Sequence, residues 1–220
     1  MTTIFPVEKQ CAHCGRHSEH IVIGSTNTFG SPDLDTRPPE MMRSTIPHWV
    51  QRCPHCGYCN SDLDHLLPTA GQVMSSEAYR DQLVERTLPT LANSFLCLSI
   101  ILAAQGEFTR AGWSSLHAAW VCDDERAAQG ALHCRQRAAS LFQEALASGQ
   151  MIARQADASD ALLVDVLRRS LQFPLALSLC EDGLRKHSDE IIKGVLTFQK
   201  LLIQRQDSGC YTVAQALGNA

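Results

Sequence analysis

The chain carries two copies of one five-residue pattern, Cys11-Ala12-His13-Cys14-Gly15 and Cys53-Pro54-His55-Cys56-Gly57, and nothing else in it constrains the fold as tightly. A two-residue spacer lets backbone N–H groups turn towards the first sulfur while both thiolates reach one ion. The glycine after the second cysteine takes a positive φ without steric cost. Together the knuckles offer Cys11, Cys14, Cys53 and Cys56, enough to close a tetrahedron around zinc at about 2.3 Å per bond. Rubredoxin-type iron is the other metal suited to four sulfurs. A site filled by thiolates keeps no position for water, so Zn2+ here is structural and its binding energy becomes folding energy.

The surroundings fit that reading. Cys11, Cys14, Cys53, Cys56 and Cys59 make up half of the ten cysteines, whereas Cys97, Cys122, Cys134, Cys180 and Cys210 are scattered singly. The N-terminus has neither a basic region nor an apolar run of the export type, which points to the cytoplasm, where thiols stay reduced and free for metal. Residues 1–68 hold few large apolar side chains, and an apparent ~10–16 kcal/mol from a structural zinc would offset the chain entropy their packing leaves uncovered. The 38 residues from Gly15 to Arg52 exceed the usual gap of a compact ribbon. Loop closure rises only logarithmically, so the extra length costs on the order of 1 kcal/mol.

Organisation changes near Pro68. Before it, residues 5–10, 20–23 and 48–52 are β-prone, and the proline-containing stretch 24–47 reads as an extended loop. After it, helices are expected over 75–86, from Pro89 to the break at Gln105-Gly106-Glu107, over 109–123, and over 125–148 with Gly149 as its stop. A further helix would be capped by Asp157 or Ser159, and the next would carry Pro174 in its first turn. The last would open at Ser188-Asp189-Glu190 and run to about Gln206. At an offset of 65 residues, Leu98, Ile101, Leu102, Phe108 and Ala111 fall on Leu163, Val166, Leu167, Phe173 and Ala176. That is a degenerate helical-hairpin repeat of tetratricopeptide-like character. The fold class expected is therefore mixed: a small β zinc-ribbon or rubredoxin-like domain over 1–68 with a long inserted loop, an all-α tetratricopeptide-like domain over 72–207, and a tail over 208–220.

Several alternatives fall away on the same residues. The longest uncharged apolar run, residues 95–104, is about half the length that spans a bilayer. Net charge is −4, and residues 1–68 contain five Lys/Arg against seven Asp/Glu, so no basic face favours nucleic acid, although Arg16, Arg37, Arg43 and Arg52 are candidates for a local patch. His17-Ser18-Glu19 followed by Cys53-Pro54-His55-Cys56 mimics a zinc-deaminase signature. Its proline lies inside the second pair instead of before it, and Cys11 and Cys14 would fill the open metal position such an enzyme needs. No catalytic residue is assigned. Cys59 makes a third C-x-x-C step with Cys56, and His13, His17, His20, His55 and His65 crowd the region; a second metal site or a ligand swap is the alternative to the stronger reading, a spare thiol and solvent-facing spacers. Cys97, Cys122, Cys134 and Cys180 read as small core hydrophobes, and Trp113 and Trp120, with His117 nearby, as core packing. Asp33, Asp35 and Arg37, among prolines, either fix their loop and pair across to the helices or form a binding surface.

Taken together, the first knuckle, the loop Gly30-Ser31-Pro32-Asp33-Leu34-Asp35-Thr36-Arg37-Pro38-Pro39 and the stretch Trp49-Val50-Gln51-Arg52-Cys53-Pro54-His55-Cys56-Gly57-Tyr58 resemble a bacterial family of the "domain of unknown function 2225" type. The resemblance implies a zinc-ribbon-like head joined to tetratricopeptide-like helices, with Cys11, Cys14, Cys53 and Cys56 as metal ligands, and it supplies no activity. The expectation is a non-enzymatic interaction protein with a protein or peptide partner and no membrane. A nucleic-acid-binding ribbon ranks second, and a metal-dependent hydrolase or deaminase third.

Overall fold

The computed structural model describes residues 1–218, with the side chains of Ala156 and Asp157 left out. Its N-terminal part contains two small antiparallel ladders, each wrapped around a knuckle. Strand β1 (Thr3–Gln10) pairs with β2 (His17–Ser25), placing Val7 opposite His20 and Gln10 opposite His17. Strand β3 (Gln51–Arg52) pairs with β4 (Cys59–Asn60). The first hairpin is longer than side-chain alternation suggests, because backbone pairing across the knuckle recruits Thr3, Ile4 and residues 17–19 regardless of their side chains. Residues 48–50, expected as strand, are not. A 3₁₀ helix over Arg43–His48 ends with the Trp49 N–H on the Ile46 carbonyl and the Trp49 indole N–H on Thr45 Oγ1 (2.8 Å), and these local bonds displace the extended form.

From Ala70 onwards the described chain is helical. The helix expected over 75–86 is α2 (Glu77–Val84), which starts where the Ser76 side chain accepts the Tyr79 N–H, and a short helix that was not expected, α1 (Ala70–Met74), precedes it. Six longer helices follow: α3 (Thr90–Ala104), α4 (Phe108–Asp124), α5 (Ala128–Ala147), α6 (Ala156–Arg169), α7 (Phe173–Lys186) and α8 (Glu190–Gln204). Pro174 occupies the first turn of α7 as expected, and α8 starts one residue later than Ser188 would place it, capped by Asp189 through the N–H groups of Ile191 and Ile192. Helix α6 instead follows Gln155. Ser159 lies inside its first turn, accepting the Ala153 N–H and donating to the Gln155 carbonyl, and the Asp157 side chain is outside the described ones. The segment expected as a tail contains α9 (Val213–Ala216), closed by a capping box between Thr212 and Gln215.

Helix α3 packs on α4, α4 on α5, α6 on α7 and α7 on α8. The corners share one geometry. Glu107, Ala127, Gln150, Gln172 and Asp207 each donate a backbone N–H to the carbonyl five residues earlier, across a residue of positive φ. Two of those residues are Gly106 and Gly149, but the others are Arg126, Leu171 and Gln206. Gly106 and Leu171 stand at the 65-residue offset of the hairpin repeat, and Ala111 and Ala176 are both fully buried just beyond them. The core these helices enclose includes Phe95, Ile101, Leu116, Trp120, Phe142, Leu167 and Leu196. Gly112 lets Phe142 lie directly on α4, where a Cβ would come within 2.5 Å of the ring. Among the described residues no helix is long and apolar enough to cross a membrane.

Candidate metal centre

The two knuckles fold alike, bond for bond. Cys11 donates its N–H to the Arg16 carbonyl (2.9 Å) and accepts the Gly15 N–H on its own carbonyl (2.8 Å). Cys53 does the same with Tyr58 (2.8 Å) and Gly57 (3.0 Å). Gly15 and Gly57 have φ of +72° and +78°, the conformation for which glycine suits this position. The next segment clamps the pair together: the Ala12 N–H bonds the Leu63 carbonyl (2.8 Å), and the Leu63 N–H bonds Gln51 Oε1 (3.0 Å). Behind the second knuckle the buried Tyr58 hydroxyl donates to the His65 carbonyl and accepts the Leu67 N–H.

This scaffold gathers the sulfurs of Cys11, Cys14, Cys53 and Cys56 within 4.8 Å of one another, the one group of three or more candidate metal ligands among the described residues. The Cys11–Cys56 and Cys14–Cys53 Sγ separations are both 3.7 Å. A disulfide would need about 2.05 Å. A tetrahedron with metal–sulfur bonds of ~2.3 Å has edges of about 3.8 Å, so the cluster has the dimensions of a four-thiolate metal site. Cys11 and Cys53 are buried, Cys56 is partly so, and Cys14 faces solvent.

The electrostatics point the same way. Burial raises the Cys11 thiol against backbone N–H groups of Cys14 and His13 that lower it, and burial raises the Cys56 thiol more strongly. The Arg16 N–H, aimed at the Cys14 sulfur, lowers that thiol to about 7. Left to themselves, the four would not all ionise at neutral pH. A divalent cation supplies the charge that makes four thiolates favourable together. The donor set therefore fits a metal ion, and the N–H groups turned to sulfur are what the two-residue spacer called for.

Cys59 is turned the other way. It is fully buried, donates to the Gly57 carbonyl and faces Cys97, Tyr79 and Ser94. The histidines of the region find other neighbours: His20 is hydrogen-bonded to Ser18 (2.9 Å), and His17 lies 3.7 Å from Glu8. In the helical part, Cys122 faces Cys134 across α4 and α5. His133 is exposed, whereas His117 sits among Trp49, Phe95, Trp113 and Trp120 with ring centroids 4.9–6.1 Å away.

Asp33, Asp35 and Arg37 are drawn inward, so of the two readings their spacing left open, pairing describes their surroundings. Thr36 takes φ +63°, its N–H bonds the Asp33 carbonyl, and Asp35 Oδ1 accepts the Arg37 N–H, forming a tight turn. Asp35 is wholly buried and accepts the Trp120 indole N–H (2.8 Å) and Arg169 (2.8 Å), with Arg135 at 3.9 Å. Arg37 reaches Asp124 (2.6 Å) on α4 and lies over the Trp120 ring. Asp33 pairs with Arg43 (2.6 Å). The network continues to Asp123, which bonds Arg135 and Arg169. Burial alone would raise the Asp123 carboxyl, but Arg135, Arg169 and Arg37 hold it below its ordinary value. Sequence reasoning missed Asp123, Arg135 and Arg169. Each is one charge among many on a helix, and its partner lies far along the chain.

No protein-family model, curated protein or solved structure matches the chain.

Proposed function

We propose that the chain is a cytoplasmic, non-enzymatic interaction protein. In it a structural zinc, held by Cys11, Cys14, Cys53 and Cys56, stiffens a ribbon-like head, and tetratricopeptide-like helical hairpins offer a surface to a protein or peptide partner. The observation that carries this reading is the 3.7 Å spacing within both cross-knuckle sulfur pairs. Four thiolates at that spacing fill a tetrahedral ion, and an ion with no free corner neither activates water nor polarises a substrate. The repeated hairpin corner at Gly106 and Leu171 supports the helical-array half of the proposal, since stacked hairpins expose long continuous faces. The resemblance of the knuckles and the Gly30–Pro39 loop to the zinc-headed family adds to it.

Metal analysis of the purified full chain tests the first half, with about one zinc per chain expected. The absorption spectrum of the cobalt-substituted protein should be that of four thiolates; a spectrum with an oxygen ligand would overturn the structural assignment and favour a hydrolase. For the second half, native capture with the full chain should recover a defined protein in near-equal amount. Recovery of none would remove the interaction role.

A further inference from the structure

Where the head meets the helices, a cleft of about 210 Å³ opens between Trp49 and one face of α4. Its lining includes Trp49, Phe95, Arg110, Trp113, Ser114 and His117. Arg110, Trp113, Ser114 and His117 recur at helical spacing, so they form one stripe along α4. The aromatic walls are fixed in place. The Trp49 indole N–H is tied to Thr45, that of Trp113 to the Ile152 carbonyl (2.9 Å), and that of Trp120, behind them, to Asp35.

Two polar groups in this stripe are left without partners. Among the described residues His117 makes ring contacts but no hydrogen bond, and Arg110 makes neither an ion pair nor a hydrogen bond. Burial lowers the His117 imidazole to about 4, so at neutral pH it is uncharged and offers one donor and one acceptor. Arg110, exposed at the other end, offers a permanent positive fork suited to a carboxylate. Seven residues of helix put their Cα atoms about 10 Å apart, and both residues line the same cleft.

We propose that this cleft binds a small hydroxylated aromatic acid, its ring against Trp49, Phe95 and Trp113, its carboxylate on Arg110 and its hydroxyl, at the opposite end of the ring, on His117. Size agrees. A cavity of about 150 Å³ takes benzene, so the space here suits one ring with substituents. The inference concerns a small-molecule site and stands apart from the role proposed for the metal head.

The test uses the full zinc-loaded chain, ¹H–¹⁵N spectra of its three tryptophan indoles and 4-hydroxybenzoate as the probe. Saturable shifts of the Trp49 and Trp113 indole signals are expected, with Kd on the order of 0.1–1 mM. Benzoate, which lacks the hydroxyl, and 4-hydroxybenzyl alcohol, which lacks the charge, should each bind roughly tenfold more weakly. Arg110→Ala should lower affinity for 4-hydroxybenzoate to that of the alcohol while leaving the alcohol's own binding unchanged. Arg110 is exposed, so this variant keeps the fold, which an unshifted Trp120 indole would verify. The absence of saturation up to roughly 10 mM, or equal binding by Arg110→Ala, would overturn the assignment.

Discussion

The head and the helical part reach order by opposite means. In the helices, large side chains such as Trp120, Phe95, Phe142 and Leu196 are fully or almost fully buried, and their order scales with apolar area. The head has two narrow ladders, leaves Ile4 and Phe5 half exposed, and joins its two knuckles at four sulfur atoms, with Tyr58, Leu63 and Leu67 buried behind them. A core held by area loses stability in proportion to what is removed, whereas a core held at one point fails as a unit.

The sharpest way to break this comparison is to take away the ion. Chelation of the proposed zinc, or Cys53→Ser, removes up to the apparent ~10–16 kcal/mol of such a site. Amide exchange should then lose protection throughout β1, β2 and the knuckles while α4 to α8 keep theirs. Uniform loss across both parts would mean that the head and helices fold as one unit. Phe142→Ala is the converse experiment. It leaves a cavity against Gly112 and should lower stability by about 4 kcal/mol in chemical denaturation, with metal content unchanged.

Between the two parts lies the loop joint, and Asp35→Asn probes it. The change leaves Arg169 buried without its nearest charge, which should lower stability by about 3 kcal/mol. A double-mutant cycle with Arg169→Gln should show strong non-additivity, and additive losses would argue that the pair does not couple. The smallest expected effect is one of pH. His117 has a folded value of about 4 against an ordinary 6.5, so as pH falls through that window the unfolded chain takes up a proton that the folded one refuses. Stability should therefore decline from about pH 6.5 to about pH 4, by roughly 2 kcal/mol after allowance for partial exposure, and His117→Gln should flatten the curve. Asp123 acts lower: its depressed carboxyl contributes stability above pH ~4 that disappears as acid reaches its folded value.

How far this architecture could be read in advance depended on the range of each interaction. The four ligands were legible because knuckle chemistry lies within five consecutive residues, and the cap at Asp189 and the break at Gly106 are equally local. Breaks near Arg126 and Leu171 followed from the helix boundaries and the 65-residue offset, but not which residue would take the positive φ, since side chains of those types seldom do and tertiary packing imposes it. The single turn of α1 escaped notice because five residues are too few to show a helical period. The partners of Asp35 lie 85 and 134 residues away along the chain, and no periodicity reports a bond of that span.

The inserted loop also rests on the segment that follows α8. The Leu34 N–H bonds the Tyr211 carbonyl, and the Val213 N–H bonds the Pro32 carbonyl. A ribosome makes the loop long before Tyr211 and Val213, so the seam between head and helices lacks these supports until both residues have been made. Closing it requires contacts of very large sequence separation, which places that step late and makes it slow relative to the local hairpins.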